Sequence, residues 1–121
     1  MLTFEPPCSI FYGVCNETVG KANMVMGRTT SGPDMMNQRH YHINCDAAIY
    51  AVKGRRRLYI GPDHEMKEYI AEEGDFVFVP KGEIHGSQNL SNTEPVELIF
   101  CYVGVGSTEE AKTVKVEPPQ K

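Results

Sequence analysis

The sequence predicts an all-β fold, a sandwich or closed barrel of short strands, and three observations predict it. Short apolar or alternating segments recur along nearly the whole chain. Glycine, proline and aspartate punctuate them at fairly regular intervals. Helical composition is scarce: only residues 108–112 carry it, too few to hold a helix alone. Many short strands with such punctuation suit a sandwich or barrel and not an α/β layer fold.

The elements follow in order. Residues 9–14 read as the first strand, and 22–30 as the second, alternating through Met24 and Met26. Residues 47–53 form a third, which Gly54 turns into 57–60. Gly61-Pro62-Asp63 is a turn signal, followed by a strand at 67–71. After Gly74-Asp75 comes the apolar run 76–79, read as a buried strand that Pro80 closes. A short strand at 84–89 and a long one at 96–103 complete the set. The tail 114–121, with Pro118-Pro119, is expected to be an edge arm or a frayed end. Tyr50, Phe76, Phe78, Phe100 and Tyr102 are expected in the core or a dimer interface. Met24, Met26, Met35 and Met36 are expected to fill the barrel or its rim, with Met35-Met36 lining the mouth.

With 121 residues, the chain is long enough for one core, so a single domain over 1–121 is expected. The net charge of −4 argues against a nucleic-acid partner, because neutralising phosphates calls for the opposite balance. No apolar run is long enough to cross a bilayer, so no membrane partner is expected. Residues 1–7 carry neither a positive n-region nor an apolar h-segment, which points to the cytosol. Of Cys8, Cys15, Cys45 and Cys101, no two form a Cys-x-x-Cys pair. In a reducing compartment they read mainly as small buried hydrophobes.

Three of the four histidines form a meaningful arrangement. His40 and His42 are one residue apart, and on an extended strand positions i and i+2 share a face. Two neutral imidazoles on one face are half of a first-row metal site. The second half comes from Gly74 onward: Pro80 closes the preceding strand, and Gly82 permits a sharp bend that aims His85 inward.

The stretch from Gly74 through Pro80, Gly82 and His85 to Asn89 resembles the second cupin motif, G-x5-P-x-G-x2-H-x3-N, at every defined position. The stretch from Gly32 through His40-Tyr41-His42 to Gly54 resembles the first. Together with their loop, the two motifs span about half of the chain. The resemblance implies a cupin-type double-stranded β-helix, a jelly-roll barrel, with His40, His42 and His85 as ligands of one divalent metal. It also implies a homodimer. Two departures occur in the first motif. Seven residues follow Gly32 where the family has five, a cheap loop insertion. The family's glutamate ligand, seven positions before the closing glycine, falls on Ala47.

Three neutral imidazoles leave a divalent ion with a local charge of about +2, where a carboxylate would lower it to about +1. Such an open centre favours an anionic, chelating small-molecule substrate. It resembles the three-histidine iron dioxygenases among cupins, which implies Fe(II) and oxidation of a small chelating organic anion. A redox-neutral lyase or isomerase using Mn, Ni or Zn is the alternative, and a non-catalytic ligand-binding cupin is another. Asp46 could replace the missing carboxylate after a one-residue register shift, although strict alternation puts it opposite Ala47. Cys45 shares Ala47's parity across a loop that breaks simple alternation.

Other residues remain candidates. Gln38 and Gln88 could donate to a bound substrate. Alternation sends Arg56 to the face opposite Arg55 and Arg57, where it could clamp a substrate carboxylate, with Arg28 and Arg39 as rivals. His64 reads as a solvated turn residue or, with Glu65 and Glu83, as a general base that no motif places. Tyr41, between the ligands, faces away from them.

Overall fold

The computed structural model describes residues 8–116, with side chains from residue 10 onward. Ten strands build two five-stranded antiparallel sheets. In chain order they are β1 (Cys8–Val14), β2 (Met24–Ser31), β3 (Met36–His42), β4 (Asp46–Lys53), β5 (Arg56–Ile60), β6 (Lys67–Ala71), β7 (Phe76–Val79), β8 (His85–Asn89), β9 (Val96–Val103) and β10 (Thr113–Lys115). Two one-turn helices, α1 (Asn16–Val19) and α2 (Thr108–Ala111), and a 3-10 turn at Asp63–Glu65 lie between them. The first sheet runs β1-β2-β9-β4-β7 and the second β10-β3-β8-β5-β6. This is the jelly roll that the strand pattern and the cupin resemblance imply.

Alternation explains how the first sheet is built. In its central strand β9, Leu98, Phe100 and Tyr102 point inward, and Ile99 and Cys101 point away. Phe100 joins Val25, Cys15, Cys45, Val105 and Ala111 in the packed core at one end of the sandwich. Burying Val25 or Phe100 contributes about 1.5–3 kcal/mol each. Gly27, opposite Phe100 on β2, has to be glycine: a Cβ there would lie 2.7 Å from the Phe100 ring and 2.5 Å from the Phe11 carbonyl oxygen.

Several sequence expectations change here. The apolar run of β7 is not buried throughout. Val77 and Val79 turn inward, while Phe76 and Phe78 are 82% and 66% exposed on the outer face. A continuous apolar run suggests burial on both faces, but no layer among the described residues covers the outside of this sheet. Tyr50, Met24 and Met26 stand on the same outer face and do not fill the barrel. Met35 is buried and Met36 half-buried, yet neither lines the barrel cavity. The second strand starts at Met24, two residues later than expected, and the fourth-to-fifth turn delivers a strand that already begins at Arg56. The helical composition near the end does make α2, whose amino end is capped by Ser107 accepting from the Glu110 N–H at 3.1 Å. Helix α1 carried no signal that the sequence reading used. The first residues of the tail form part of edge strand β10, paired with β3 (Val114 with Tyr41, Lys115 with His40). Residues 117–121 lie outside the described residues, as do residues 1–7.

Candidate metal centre

Strands of the second sheet bring the three histidines together. His40 and His42 lie on β3, and His85 opens β8 directly opposite His40. The ring centroids are 4.3 Å apart for His40–His85, 5.0 Å for His40–His42 and 5.3 Å for His42–His85. One nitrogen from each ring lies within 4.8 Å of the other two. Three imidazole donors clustered this closely are able to hold one metal ion.

Two local devices aim these rings. The first is a β-bulge in β3. Asn37 pairs with Ser87 and His40 with His85, so β3 spends one residue more than β8 between the two pairs. The extra residue switches the parity, and Asn37, His40 and His42 all face the cavity. Gly86 of β8 faces the bulge, where a Cβ would lie 2.9 Å from both the Arg39 Cγ and the Asn37 carbonyl oxygen. The second device is the turn before β8. Gly82 adopts φ +83, which side-chain-bearing residues avoid, and its N–H donates to the His42 carbonyl at 2.8 Å. The turn that delivers His85 is thus tied to the strand that delivers His42.

Hydrogen bonds fix which nitrogen is offered. His40 Nδ1–H donates to the Gln38 carbonyl at 2.7 Å, and His85 Nδ1–H to the Glu83 carbonyl at 2.9 Å. A carbonyl only accepts, so both rings carry their proton on Nδ1 and turn the Nε2 lone pair outward. His42 Nδ1 contacts the Thr113 hydroxyl at 2.9 Å. Burial, reinforced by the neighbouring His40, lowers His42 to about 4 and His85 to about 3. Both are neutral ligands at any ordinary pH. Thr113 was not among the sequence candidates: it is 71 residues from His42, on a strand no spacing rule connects to it.

Ala47 lies 2% exposed in the wall facing this site, so the position of the absent carboxylate is occupied by a methyl group. Neither substitute reaches in. Asp46 points outward and its Oδ1 accepts from the Lys81 N–H at 2.9 Å. Cys45 packs in the apolar core with Val25 and Phe100, where burial raises its thiol pKa. Among the described residues, only His40, His42 and His85 gather as a metal-binding group. Three imidazoles, two of them with tautomers set by backbone carbonyls, and no carboxylate fit a divalent first-row ion.

A cavity of about 130 Å³ opens between the sheets at the histidines. Its walls are largely apolar, with Leu58, Ile49, Val77, Leu98 and the Tyr102 ring, whose centroid is 4.8 Å from that of His42. Arg56 lines it as well, 5% exposed, and burial lowers its guanidinium to about 10. The other candidates are placed elsewhere. The Gln38 side chain donates to the Val116 carbonyl at 3.2 Å, and Gln88 accepts from the Tyr59 hydroxyl at 3.0 Å. His64 and Glu65 are exposed in the 3-10 turn, and Glu83 contributes its backbone carbonyl. Arg39 pairs with Asp63, and Arg28 lies 5.6 Å over the Phe11 ring.

Residues 27–102, well over half of the chain, match the family model described as a cupin domain. The chain belongs to the cupin family. Among solved structures, this cupin superposes on oxalate oxidase with a TM-score of 0.76 at 14% identity, covering 94% of this chain and 57% of that one. The oxalate decarboxylase of Lactobacillus farciminis, solved as a formate complex, matches with a TM-score of 0.76 at 15% identity, over 94% of this chain and 32% of that one. Peruvianin-I, described as a cysteine peptidase from Thevetia peruviana latex, shares the fold at a TM-score of 0.73 and 14% identity, over 94% of this chain and 70% of that one. So varied a set shows that the cupin fold by itself does not fix an activity. A curated protein of Aquifex aeolicus (strain VF5), described as uncharacterized, is 36% identical over 61 residues, 50% of this chain and 47% of that protein. The chain spans about half the length of the curated relative it matches. Among the described residues, no helix is long and apolar enough to cross a membrane.

Proposed function

We propose that this cupin is a mononuclear metal-dependent oxidoreductase, a three-histidine Fe(II) dioxygenase that acts on a small chelating organic anion. The observation that carries the reading is the donor set: three imidazoles gather in one cluster, and Ala47 stands where a carboxylate would reduce the charge. When bound, Fe(II) supplies one-electron chemistry and open coordination positions for the reactants. The protein's own part is positional. His40, His42 and His85 hold the ion, the Gln38 and Glu83 carbonyls and the Thr113 hydroxyl keep their rings in place, and the apolar wall of β4, β7 and β9 excludes bulk water. Two of the fold's structural relatives are described as acting on oxalate, a small chelating dianion, which agrees with this substrate class.

The test is elemental analysis of purified protein, followed by turnover of a panel of small hydroxy, keto and thiol acids in an oxygen electrode. One iron per chain and oxygen uptake matched to product are expected. Full turnover under argon would replace the dioxygenase with a redox-neutral Mn, Ni or Zn lyase. Tight binding with no product over hours would make the protein a ligand-binding module.

A further inference from the structure

The sequence has five arginines, and four of them have a partner. Arg28 stacks over Phe11, Arg39 pairs with Asp63, Arg55 with Glu72 at 3.3 Å, and Arg57 with Glu68 at 3.7 Å. Arg56 is the exception. It is 5% exposed, and among the described residues neither its Nε nor its Nη2 meets an acceptor. Its cross-strand neighbour Asn89 is engaged elsewhere. The Asn89 amide donates to the Gly32 and Glu94 carbonyls at 3.0 and 2.8 Å, and its oxygen accepts from the Ser91 N–H at 2.8 Å. Among the described residues, no aspartate or glutamate lines the cavity that Arg56 shares with the histidines. A guanidinium buried without a counter-charge is costly, and the cost is relieved when an anion enters and takes its two parallel N–H groups.

We propose that Arg56 is the carboxylate clamp of this cavity, and that its ligand is a short acid with a carboxylate at one end and a metal-binding head at the other. The head half of this statement rests on the metal reading above; the clamp half does not. Register gives the spacing. Ile60 pairs with His85 and Arg56 with Asn89, so Arg56 and the ligand His85 are four residues apart along neighbouring strands, about 13 Å. Both side chains face the same cavity. A cavity of about 130 Å³ is close to the size that holds a molecule of roughly six heavy atoms, as a benzene-binding cavity of about 150 Å³ does. The apolar wall between the two poles suits the short hydrocarbon that joins carboxylate to head. Arg56 is therefore a substrate-binding residue that selects charge and length.

The test compares 3-mercaptopropanoate with 3-mercaptopropanamide, which match in size and thiol head and differ in one charge. Their affinities for the metal-loaded full chain are measured by calorimetry under argon. The carboxylate is expected to bind about tenfold or more tightly than the amide. In Arg56→Gln this preference falls to about twofold or less while the amide's affinity holds. Arg56→Lys keeps charge and folding and loses most of the preference, because a point charge does not match the fork of a carboxylate. It carries the test if the neutral variant fails to fold. Melting temperature supplies a readout that a structural arginine would move the other way: Arg56→Met is expected to melt higher than the parent, since a buried unpaired charge is removed. Equal binding of acid and amide by the parent, or a preference that survives in the folded variants, overturns the clamp. If the chain retains no metal, the metal reading fails by itself. The clamp is then read in the metal-free chain from thermal shifts, where propanoate should stabilise and propanamide should not, and only with Arg56 present.

Discussion

The two sheets of this cupin divide the work unevenly. The second sheet, β10-β3-β8-β5-β6, supplies every polar group that the site uses: His40 and His42 from β3, His85 from β8, Arg56 from β5 and Thr113 from β10. The first sheet, β1-β2-β9-β4-β7, gives that cavity Ala47, Ile49, Val77, Leu98 and aromatic rings, with Thr29 and Ser31 as its small polar residues. Their outer faces differ as well. Outside the second sheet, Arg55 and Arg57 stand in ion pairs with Glu72 and Glu68. Outside the first, Phe76, Phe78, Tyr50, Met24 and Met26 are exposed. One sheet is a chemical platform with a solvated back; the other is a mainly apolar partition.

The largest effect expected from this division is loss of the ion. His40→Ala, His42→Ala and His85→Ala should each reduce metal content, measured by elemental analysis after dialysis, by about 100-fold or more in affinity. Full loading retained by all three variants would refute the site. A smaller effect is expected one layer out. Thr113→Val removes the hydroxyl beside His42 Nδ1 and should weaken metal binding by about 10- to 100-fold, read by competition with a chelator. Thr113→Ser, which keeps the hydroxyl, should restore it.

Those two predictions differ in how far the sequence could foresee them. The histidines were readable because a one-residue spacing on a strand and a glycine–proline-bounded turn each have a geometric meaning. Their convergence was implied by the cupin resemblance, and in the structure the register sets His40 opposite His85. Arg56 was readable in part: alternation turned it away from Arg55 and Arg57, but only the burial and the partners of the other four arginines show that it lacks a counter-charge. Thr113 was not readable, because it reaches the site through an edge strand whose three residues carry no periodicity. The burial expected for the whole run 76–79 failed at Phe76 and Phe78 for a related reason. Apolar residues at successive positions look alike in sequence, and only the pairing of β7 with β4 reveals which of them face out.

Moving a donor to the partition would sharpen the contrast. Ala47→Glu places a carboxylate on the first sheet, facing the imidazoles, and lowers the charge of a bound ion's site from about +2 to about +1. Metal content should be kept, and affinity for a small carboxylate should fall by about tenfold, measured by calorimetry on the metal-loaded protein. Unchanged carboxylate affinity would mean that charge at the centre does not select the ligand.

The smallest effect on the site is expected from the outer faces. Charge-removing changes at Arg55 or Arg57 should alter stability by under about 0.5 kcal/mol, because exposed ion pairs contribute little. The apolar outside of the first sheet should behave differently in one respect only. Exposed aromatic and aliphatic residues on β2, β4 and β7 form a face of the kind that marks an interface, and a second copy of the chain is the proposed occupant. The double variant Phe76→Glu with Phe78→Lys should shift the mass found by light scattering from dimer to monomer, with metal content and the ring environment of the histidines unchanged. A parent chain that is monomeric at high micromolar concentration would remove the dimer, and leave the outer apolar face as the one feature of the first sheet that serves nothing within the chain itself.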